Sequence, residues 1–472
     1  MFVGRQKELD NLEELYSKNE FEMVVVYGRR RIGKTTLLSK FVKHKRALFF
    51  TAQEAADTLN LAEFSKAIYS AFSLPSSLGP FQSWVEAFAF LADKTKEEQF
   101  VLVFDEFPYA ANANRALCSI LQTQIDHFLR KSKLFLILCG SQVSFMETEV
   151  LGYKSPLFGR RTAQIELHGL DYYDAGLLLK GFSNIDKLRL YSCIGGTPHY
   201  LMQVDQDKSV EDNLTRLYFD ISGYLYNEPM MLLRQELREP AIYNSIIAVI
   251  AGGATRLNEI ASKLHTVSNR LTRYIDTLLS LRLIKKICPF NENPAKSRKT
   301  QYVLDDNCYL FWYRFVFANL AEIENGNGAT AAQYGVYGER LSDYIGKPPF
   351  EEICRQFLRR LNTKGGTPFD GVNFGTWWGN DNKLQQQTDV DVVMANKYEG
   401  SVLLGECNWR NEINEQQEIA KLMQKGELFP DFQQRYYAFF SKVDYSTSAK
   451  QIKAQHNNLA LYTVDDMFDL IN

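Results

Sequence analysis

Met23-Val24-Val25-Val26-Tyr27-Gly28-Arg29-Arg30-Arg31-Ile32-Gly33-Lys34-Thr35-Thr36-Leu37-Leu38 is the stretch that decides the fold of the first part of this chain. The β-branched run at 23–27 reads as a buried parallel strand. Gly28, Gly33, Lys34 and Thr35 fit the spacing GxxxxGK[ST], and Leu37, Leu38, Phe41 and Val42 follow at helical spacing. A strand, a glycine-bracketed loop and a helix in that order bring a curl of backbone N–H groups to the positive end of a helix. Both features attract phosphate. Gly28, Arg29, Arg30, Arg31, Ile32, Gly33, Lys34, Thr35 and Thr36 are therefore the expected phosphate cradle. Within it Lys34 should reach the β- and γ-phosphates of ATP, and Thr35 should hold Mg2+.

Working outward, apolar runs at 47–50, 100–104 and 134–139 predict three more strands, with helical spacing between them. Strand and helix in alternation imply an α/β fold, a parallel sheet covered on both faces. The run Val101-Leu102-Val103-Phe104 ends in Asp105-Glu106. Downstream of a phosphate loop, Asp105 is expected as the Mg2+ carboxylate and Glu106 as the group that polarises the attacking water. The next strand ends in Gly140-Ser141. Ser141 either touches the γ-phosphate or its water, or caps the helix that follows.

Bulk properties narrow the class. At 472 residues, two to four domains are expected. The apolar fraction of 45% and the charged fraction of 23% are those of an ordinary globular chain. A net charge of -2 argues against a protein that coats nucleic acid, though it leaves room for a local basic patch. The 7 cysteines are odd in number and form no CxxC pair, which fits a reducing compartment and neither a disulfide framework nor a structural zinc. No apolar run approaches the ~20 residues that cross a bilayer. A charged helical pattern directly after Met1 leaves no signal-peptide pattern, so a cytoplasmic protein without a membrane partner is expected.

Several motifs together carry a resemblance. They are Phe2-Val3-Gly4-Arg5-Gln6-Lys7-Glu8-Leu9, the phosphate loop, Asp105-Glu106, Gly140-Ser141, Pro156-Leu157-Phe158-Gly159-Arg160-Arg161 and Gly195-Gly196-Thr197-Pro198. The chain resembles the archaeal-type AAA+ ATPases, related to the signal-transducing NTPases. The stretch 302–316 looks like the start of that family's uncharacterised C-terminal module. The resemblance implies that Val3, Gly4 and Arg5 lie beside adenine and ribose, and that Pro198 approaches the base from a helical lid. It also implies that Arg160 or Arg161 senses the γ-phosphate, in cis or from a neighbouring subunit, so an oligomer is an expected form.

Beyond residue 170 the strands stop. Helices are expected over 171–200 and 211–237, with Gly195-Gly196-Thr197-Pro198 as a turn between them, then a helix-turn-helix over 257–264 and 268–283, with wing strands at 284–289 and 300–304. Arg270, Arg273, Arg282, Lys285, Lys286, Lys296, Arg298 and Lys299 face only Asp276 and Glu292 in the second helix and wing. That excess suits phosphate contacts to DNA, the alternative being a lid or protein-contact module. A linker is expected at 324–333, a helix at 338–361 and strands at 388–394 and 401–407. Asp391 and Glu406 on adjacent strands, with Glu351 upstream, could share one Mg2+. This part resembles the restriction-endonuclease-like fold, except that Asn408 stands where that pattern has lysine. A neutral amide supplies neither charge nor a base; Arg410 or Lys421 are the substitutes in reach of the sequence. The expected organisation is an ATPase core at 1–168, a lid at 169–238, a winged helix at 239–318 and a nuclease-like domain at 334–472. The expected function is an Mg-dependent ATP-hydrolysing switch that couples nucleotide state to a DNA- or protein-binding winged helix and an inactive nuclease-like domain. Its rivals are a nucleotide-gated nuclease and an ATP-regulated scaffold.

Overall fold

Glu22–Tyr27 forms β1, and all six residues are buried because the sheet is covered on both faces. Met23, Val25 and Tyr27 pack with Leu102, Phe104, Trp84 and Phe88, while Val24 and Val26 pack with Leu37, Leu38 and Phe41. That period-2 division explains why the strand reads as an unbroken apolar run. β2 (Ala47–Thr51), β3 (Phe100–Asp105), β4 (Leu134–Gly140) and β5 (Ala163–Glu166) complete a parallel sheet of order β2-β3-β4-β1-β5. β5 was not expected from the sequence. Of its four residues only Ile165 is buried, so no apolar run marks it.

The strand order places the site. β4 lies between β3 and β1, so the chain leaves all three strands at adjacent points along one edge of the sheet. The phosphate loop follows β1, Glu106 follows β3 and Ser141 follows β4. Crevices outside the carboxyl ends of parallel strands are where open α/β sheets bind ligands.

In this computed structural model every residue is described except Met1, Ser76, Arg238, Ala295, Asn382, Leu384 and Asn472. The chain forms two units, Met1–Gly169 with Thr197–His199, and Leu170–Gly196 with Tyr200–Asn472. The segments expected as lid, helix-turn-helix and C-terminal domain thus share the second unit. Within it Arg360 pairs with Asp171 and Asp174, Tyr172 donates its hydroxyl to Met467 O at 2.6 Å, and Tyr344 donates to Ser192 O at 2.8 Å.

Helices Leu257–Lys263 and Ser268–Ser280 precede β6 (Ile284–Ile287) and β7 (Gln301–Leu304), which pair antiparallel. The turn after β6 is anchored rather than free. Phe290 donates its N–H to Thr376 O at 2.8 Å, and its ring joins Val390, Val393 and Ile419 in the core of the C-terminal sheet. That sheet has the order β12-β11-β10-β9-β8, from β8 (Asn373–Asp381), β9 (Gln386–Asn396), β10 (Ser401–Asn408), β11 (Gln434–Ser441) and β12 (Leu459–Thr463). β8, β9 and β10 run antiparallel, and β10, β11 and β12 parallel.

Four expected segments differ in detail. The stretch 324–333 is not a linker: helices Leu320–Glu324 and Gly328–Gly335 run through it. Any side chain on Gly328 would meet Phe219 O at 1.9 Å, so its glycine reflects close packing. The helix at 338–361 is two, Glu339–Gly346 and Pro349–Thr363, because Pro348 interrupts the hydrogen-bond ladder. The segment 171–200 breaks between helices Tyr172–Gly176 and Asn184–Ile194 as well as at the turn Gly195-Gly196-Thr197-Pro198, where Gly195 takes a φ of 76°, and the segment 211–237 divides into Val210–Tyr218 and Glu228–Glu236. Among the described residues no helix is long and apolar enough to cross a membrane.

Candidate functional site

The phosphate loop takes the shape its glycines permit. Gly28 and Gly33 have φ of 152° and 97°, and a side chain on Gly28 would meet Leu167 O at 2.4 Å. Arg31 takes the left-handed conformation too, at φ 66°. Helix Lys34–Val42 starts directly behind the loop. Lys34 is 6% exposed, and its ammonium donates to Gly28 O at 2.8 Å and Arg29 O at 3.1 Å. Burial lowers the Lys34 pKa, with Asp105 and Glu106 opposing the shift. An anion in the loop would favour the charged form and engage its N–H groups.

Thr35 donates its hydroxyl to Asp105 Oδ2 at 3.3 Å, while Asp105 Oδ1 accepts the Glu106 N–H at 3.0 Å. Ile32 is buried beneath the loop, and Thr36 is exposed on the helix. Glu106 sits at φ 48° as the chain turns from β3 into helix Phe107–Ala113. One carboxylate oxygen, Oε2, accepts both the Ser141 hydroxyl at 2.9 Å and the Ser141 N–H at 3.3 Å. Neither role foreseen for Ser141 included this contact. It follows from β4 lying beside β3, which the sequence does not display.

Gly4 and Arg5 both have positive φ, 62° and 65°. The Arg5 guanidinium donates to His168 O and to Ile32 O, the latter at 3.4 Å, and pairs with Glu8 at 3.4 Å. Arg5 therefore braces the opening segment against the phosphate loop, with Val3 half-buried beside it. Pro198 Cγ lies 3.9 Å from where a Gly33 Cβ would stand. Arg160 is engaged elsewhere: it pairs with Asp126 at 2.7 Å and donates to Pro156 O and Phe158 O.

A second constellation lies in the C-terminal sheet. The Gly405↔Val392 register sets Glu406 beside Asp391. Asp391 Oδ2 accepts the Cys407 N–H at 2.9 Å, and Glu406 Oε2 accepts Lys425 Nζ at 2.8 Å. Glu351, on helix Pro349–Thr363, pairs with Lys347, which also reaches Asp389 at 3.0 Å. Burial and the Asp391 charge raise the pKa values of Glu351 and Glu406. Burial raises Asp391 as well, against the Cys407 N–H. Glu352 behaves oppositely: burial would raise it, but Lys285, Arg355 and Arg359 outweigh burial and bring it to about 2.

Asn408 makes a local turn with Arg410, exchanging hydrogen bonds of 3.2 and 3.1 Å. Lys421 pairs with Glu418. Neither substitute foreseen for the missing lysine reaches the carboxylates. Lys425 does, four residues beyond Lys421 on helix Glu415–Lys425, and the i, i+4 spacing was the available signal. Among the described residues no group of three or more acidic, His or Cys side chains is arranged to hold a metal ion.

The basic helix and turn divide in two. Lys285 pairs with Asp305 and Glu352, Lys299 with Glu292, and Arg273 with Glu239. Arg270, Lys286, Lys296 and Arg298 are exposed.

Residues 2–204 match the model of an ATPase domain predominantly from Archaea, and residues 312–421 match archaeal and bacterial proteins of unknown function. An uncharacterised protein of Methanocaldococcus jannaschii is 30% identical over 445 residues, covering 94% of this chain and 96% of that one. An uncharacterised ATP-binding protein of Pyrococcus horikoshii is 24% identical over 244 residues, 44% of this chain and 75% of the other. The solved Walker-type ATPase of Pyrococcus abyssi superposes with a TM-score of 0.51 at 21% identity, covering 66% of this chain and 96% of that chain. This last likeness shows the α/β fold with its parallel sheet. The similarity to the Methanocaldococcus protein along nearly all of its length, with the domain match, places the chain in a family: it belongs to the archaeal-type ATPases that carry a C-terminal module of unknown function.

Proposed function

We propose that the chain is an Mg-ATP-hydrolysing switch whose nucleotide state controls a DNA- or protein-binding second unit. The observation that carries the reading is the line of groups at one sheet edge: buried Lys34 in its loop, Thr35 facing Asp105, and Glu106 fixed by Ser141. The Thr35 hydroxyl and the Asp105 carboxylate are an oxygen-only pair at 3.3 Å, the donor chemistry of a hard cation. They are the residues that would hold Mg2+, which supplies charge neutralisation on the phosphates when bound. Lys34 and the loop N–H groups bind the phosphates. Glu106, with Oε2 tied to Ser141, has Oε1 to accept a hydrogen bond from the attacking water. Ser141 is thus a positioning residue. Val3, Gly4, Arg5 and Pro198 border the loop on the nucleotide side in this reading.

The segment from Leu257 to Leu304 is read as a winged helix, and the C-terminal sheet with its flanking helices as a restriction-endonuclease-like fold. The anchored Phe290 leaves the exposed side chains Arg270, Lys286, Lys296 and Arg298 as the phosphate contacts, with Arg273 and Lys299 at the margin. Lys285 belongs to the pairing with Asp305 and Glu352 and not to DNA. Two of the C-terminal carboxylates, Glu351 and Glu406, are paired with Lys347 and Lys425, which fits a retained fold that does not cut. Lys425 beside Glu406 is also the one observation that favours the rival, a nuclease in which this lysine replaces the one absent at Asn408.

Three measurements test these points. Glu106→Gln should keep ATP affinity and lower Mg-dependent turnover about 100-fold or more, the usual worth of a positioned general base; equal rates would remove Glu106 from the mechanism. DNA affinity should fall with salt, and Arg270→Ala with Lys286→Ala should reduce that slope by about 1 per residue. A salt-independent complex, or none, would point to a protein partner. The third concerns pH. The folded-state pKa values of Glu351 and Glu406 are raised, so their contribution to stability is full below the ordinary value of 4.5 and is lost as pH rises through about 7 and about 8. The unfolding temperature should therefore fall across that window, less so in Glu351→Gln, and Mn2+ should not restore it. Restoration by Mn2+ that Asp391→Ala abolishes, with plasmid cleavage, would establish the nuclease instead.

A further inference from the structure

The phosphate loop holds three consecutive arginines, and one of them is tied to the segment that bears Glu106. Arg30, half-buried, donates from its guanidinium to the Tyr109 hydroxyl at 2.8 Å. Tyr109 lies on helix Phe107–Ala113, and its N–H donates to Glu106 O at 3.0 Å, so the ring stands one turn past the glutamate. The guanidinium is thereby held on the Glu106 side of the loop, within the same phosphate cradle as the Lys34 ammonium. Burial is the main cause of the lowered Lys34 pKa; Cys139, Glu106 and Asp105 oppose it, and Arg30 adds the smallest part of the lowering. Arg30 and Lys34 lie four residues apart on one N–H-lined loop, and two cations on such a loop are stabilised by an anion that both reach. Of the two arginines that the resemblance suggested for the γ-phosphate, Arg160 and Arg161, Arg160 is paired to Asp126 and to two carbonyls of its own loop.

We propose that Arg30 is a catalytic residue, resting on the ATPase reading above: its guanidinium leaves Tyr109 for the γ-phosphate and stabilises the transferring phosphoryl group from within the same chain. The water oxygen forms the new bond to the γ-phosphorus, and its proton passes to Glu106. The bond to the β,γ-bridging oxygen breaks, with its electron pair leaving on ADP. Charge that spreads over the γ-phosphoryl oxygens meets the planar fork of Arg30 on one side and Lys34 on the other. ADP lacks the group that Arg30 recognises, so the same residue sets the preference for triphosphate over diphosphate. No arginine from a second copy is needed.

The test uses the full chain with Mg-ATP and Mg-ADP. Arg30→Ala should lower kcat about 100-fold or more, as loss of a charge-stabilising donor does. It should weaken ATP binding while leaving ADP affinity within a few-fold. Arg30→Lys should restore only part of the rate, because a point charge lacks the fork. Turnover per molecule should not depend on protein concentration, and mixing Arg30→Ala with Lys34→Ala chains should restore nothing. Wild-type rates in Arg30→Ala, equal losses of ATP and ADP affinity, or rescue on mixing would each overturn the proposal. The two readings fail separately. A wild type that does not hydrolyse ATP sinks the ATPase reading, whereas an ATP-over-ADP preference that survives Arg30→Ala sinks the role of Arg30 with or without turnover.

Discussion

A buried ammonium sets the constraint on which the rest of the first unit depends. Lys34 is removed from water, and the hydrogen bonds shown for it go to two carbonyls of its own loop, Gly28 O and Arg29 O. A charge so placed is costly unless it is hydrogen-bonded and finds an opposite partner. The loop must therefore curl back upon the lysine, which requires the positive φ of Gly28 and Gly33 and the close approach of Leu167 O. The sheet must be rigid at that edge, which the doubly covered β1, β3 and β4 ensure. Phosphate is the partner that this geometry lacks and that the N–H-lined loop is shaped to receive.

The second unit solves a similar problem in the opposite way. There the buried groups are carboxylates, and the chain supplies the counter-charges itself: Lys425 to Glu406, Lys347 to Glu351 and Asp389, Arg355 and Lys285 to Glu352. The lysines offset only part of that charge: burial and Asp391 still hold Glu351 and Glu406 above the ordinary carboxylate range. The same pairs tie the β6 strand to helix Pro349–Thr363, so Lys285 and the Phe290 ring join β6 and the turn after it to the C-terminal sheet.

Much of the first unit was legible because local signals and tertiary structure agree there. The apolar runs of β1 to β4, the glycine-bracketed loop and the acidic strand end are all local. What the sequence hid was non-local. Strand order put Ser141 on Glu106, and tertiary pairing took Arg160 to Asp126. β5, β8, β11 and β12 escaped notice, β5 and β8 because their residues are mostly half-exposed and carry no clean periodicity. The Gly- and Ala-rich stretch at 324–333 read as a linker because composition cannot distinguish looseness from close packing, as Gly328 against Phe219 shows. Lys425 was missed because its neighbour Lys421 stood nearer in sequence, while the helix turned Lys425 towards Glu406.

The most direct test of the central claim is a thermal unfolding titration with Mg-ATP, comparing the wild type with Lys34→Ala. Because Lys34→Ala also removes the hydrogen bonds to Gly28 O and Arg29 O, the ligand-free unfolding temperature of each protein serves as its own baseline. Mg-ATP should raise the wild-type transition by mass action and leave that of Lys34→Ala unmoved. An equal rise in both proteins would contradict the account, because the phosphates would then be held somewhere other than in the loop from Gly28 to Thr35.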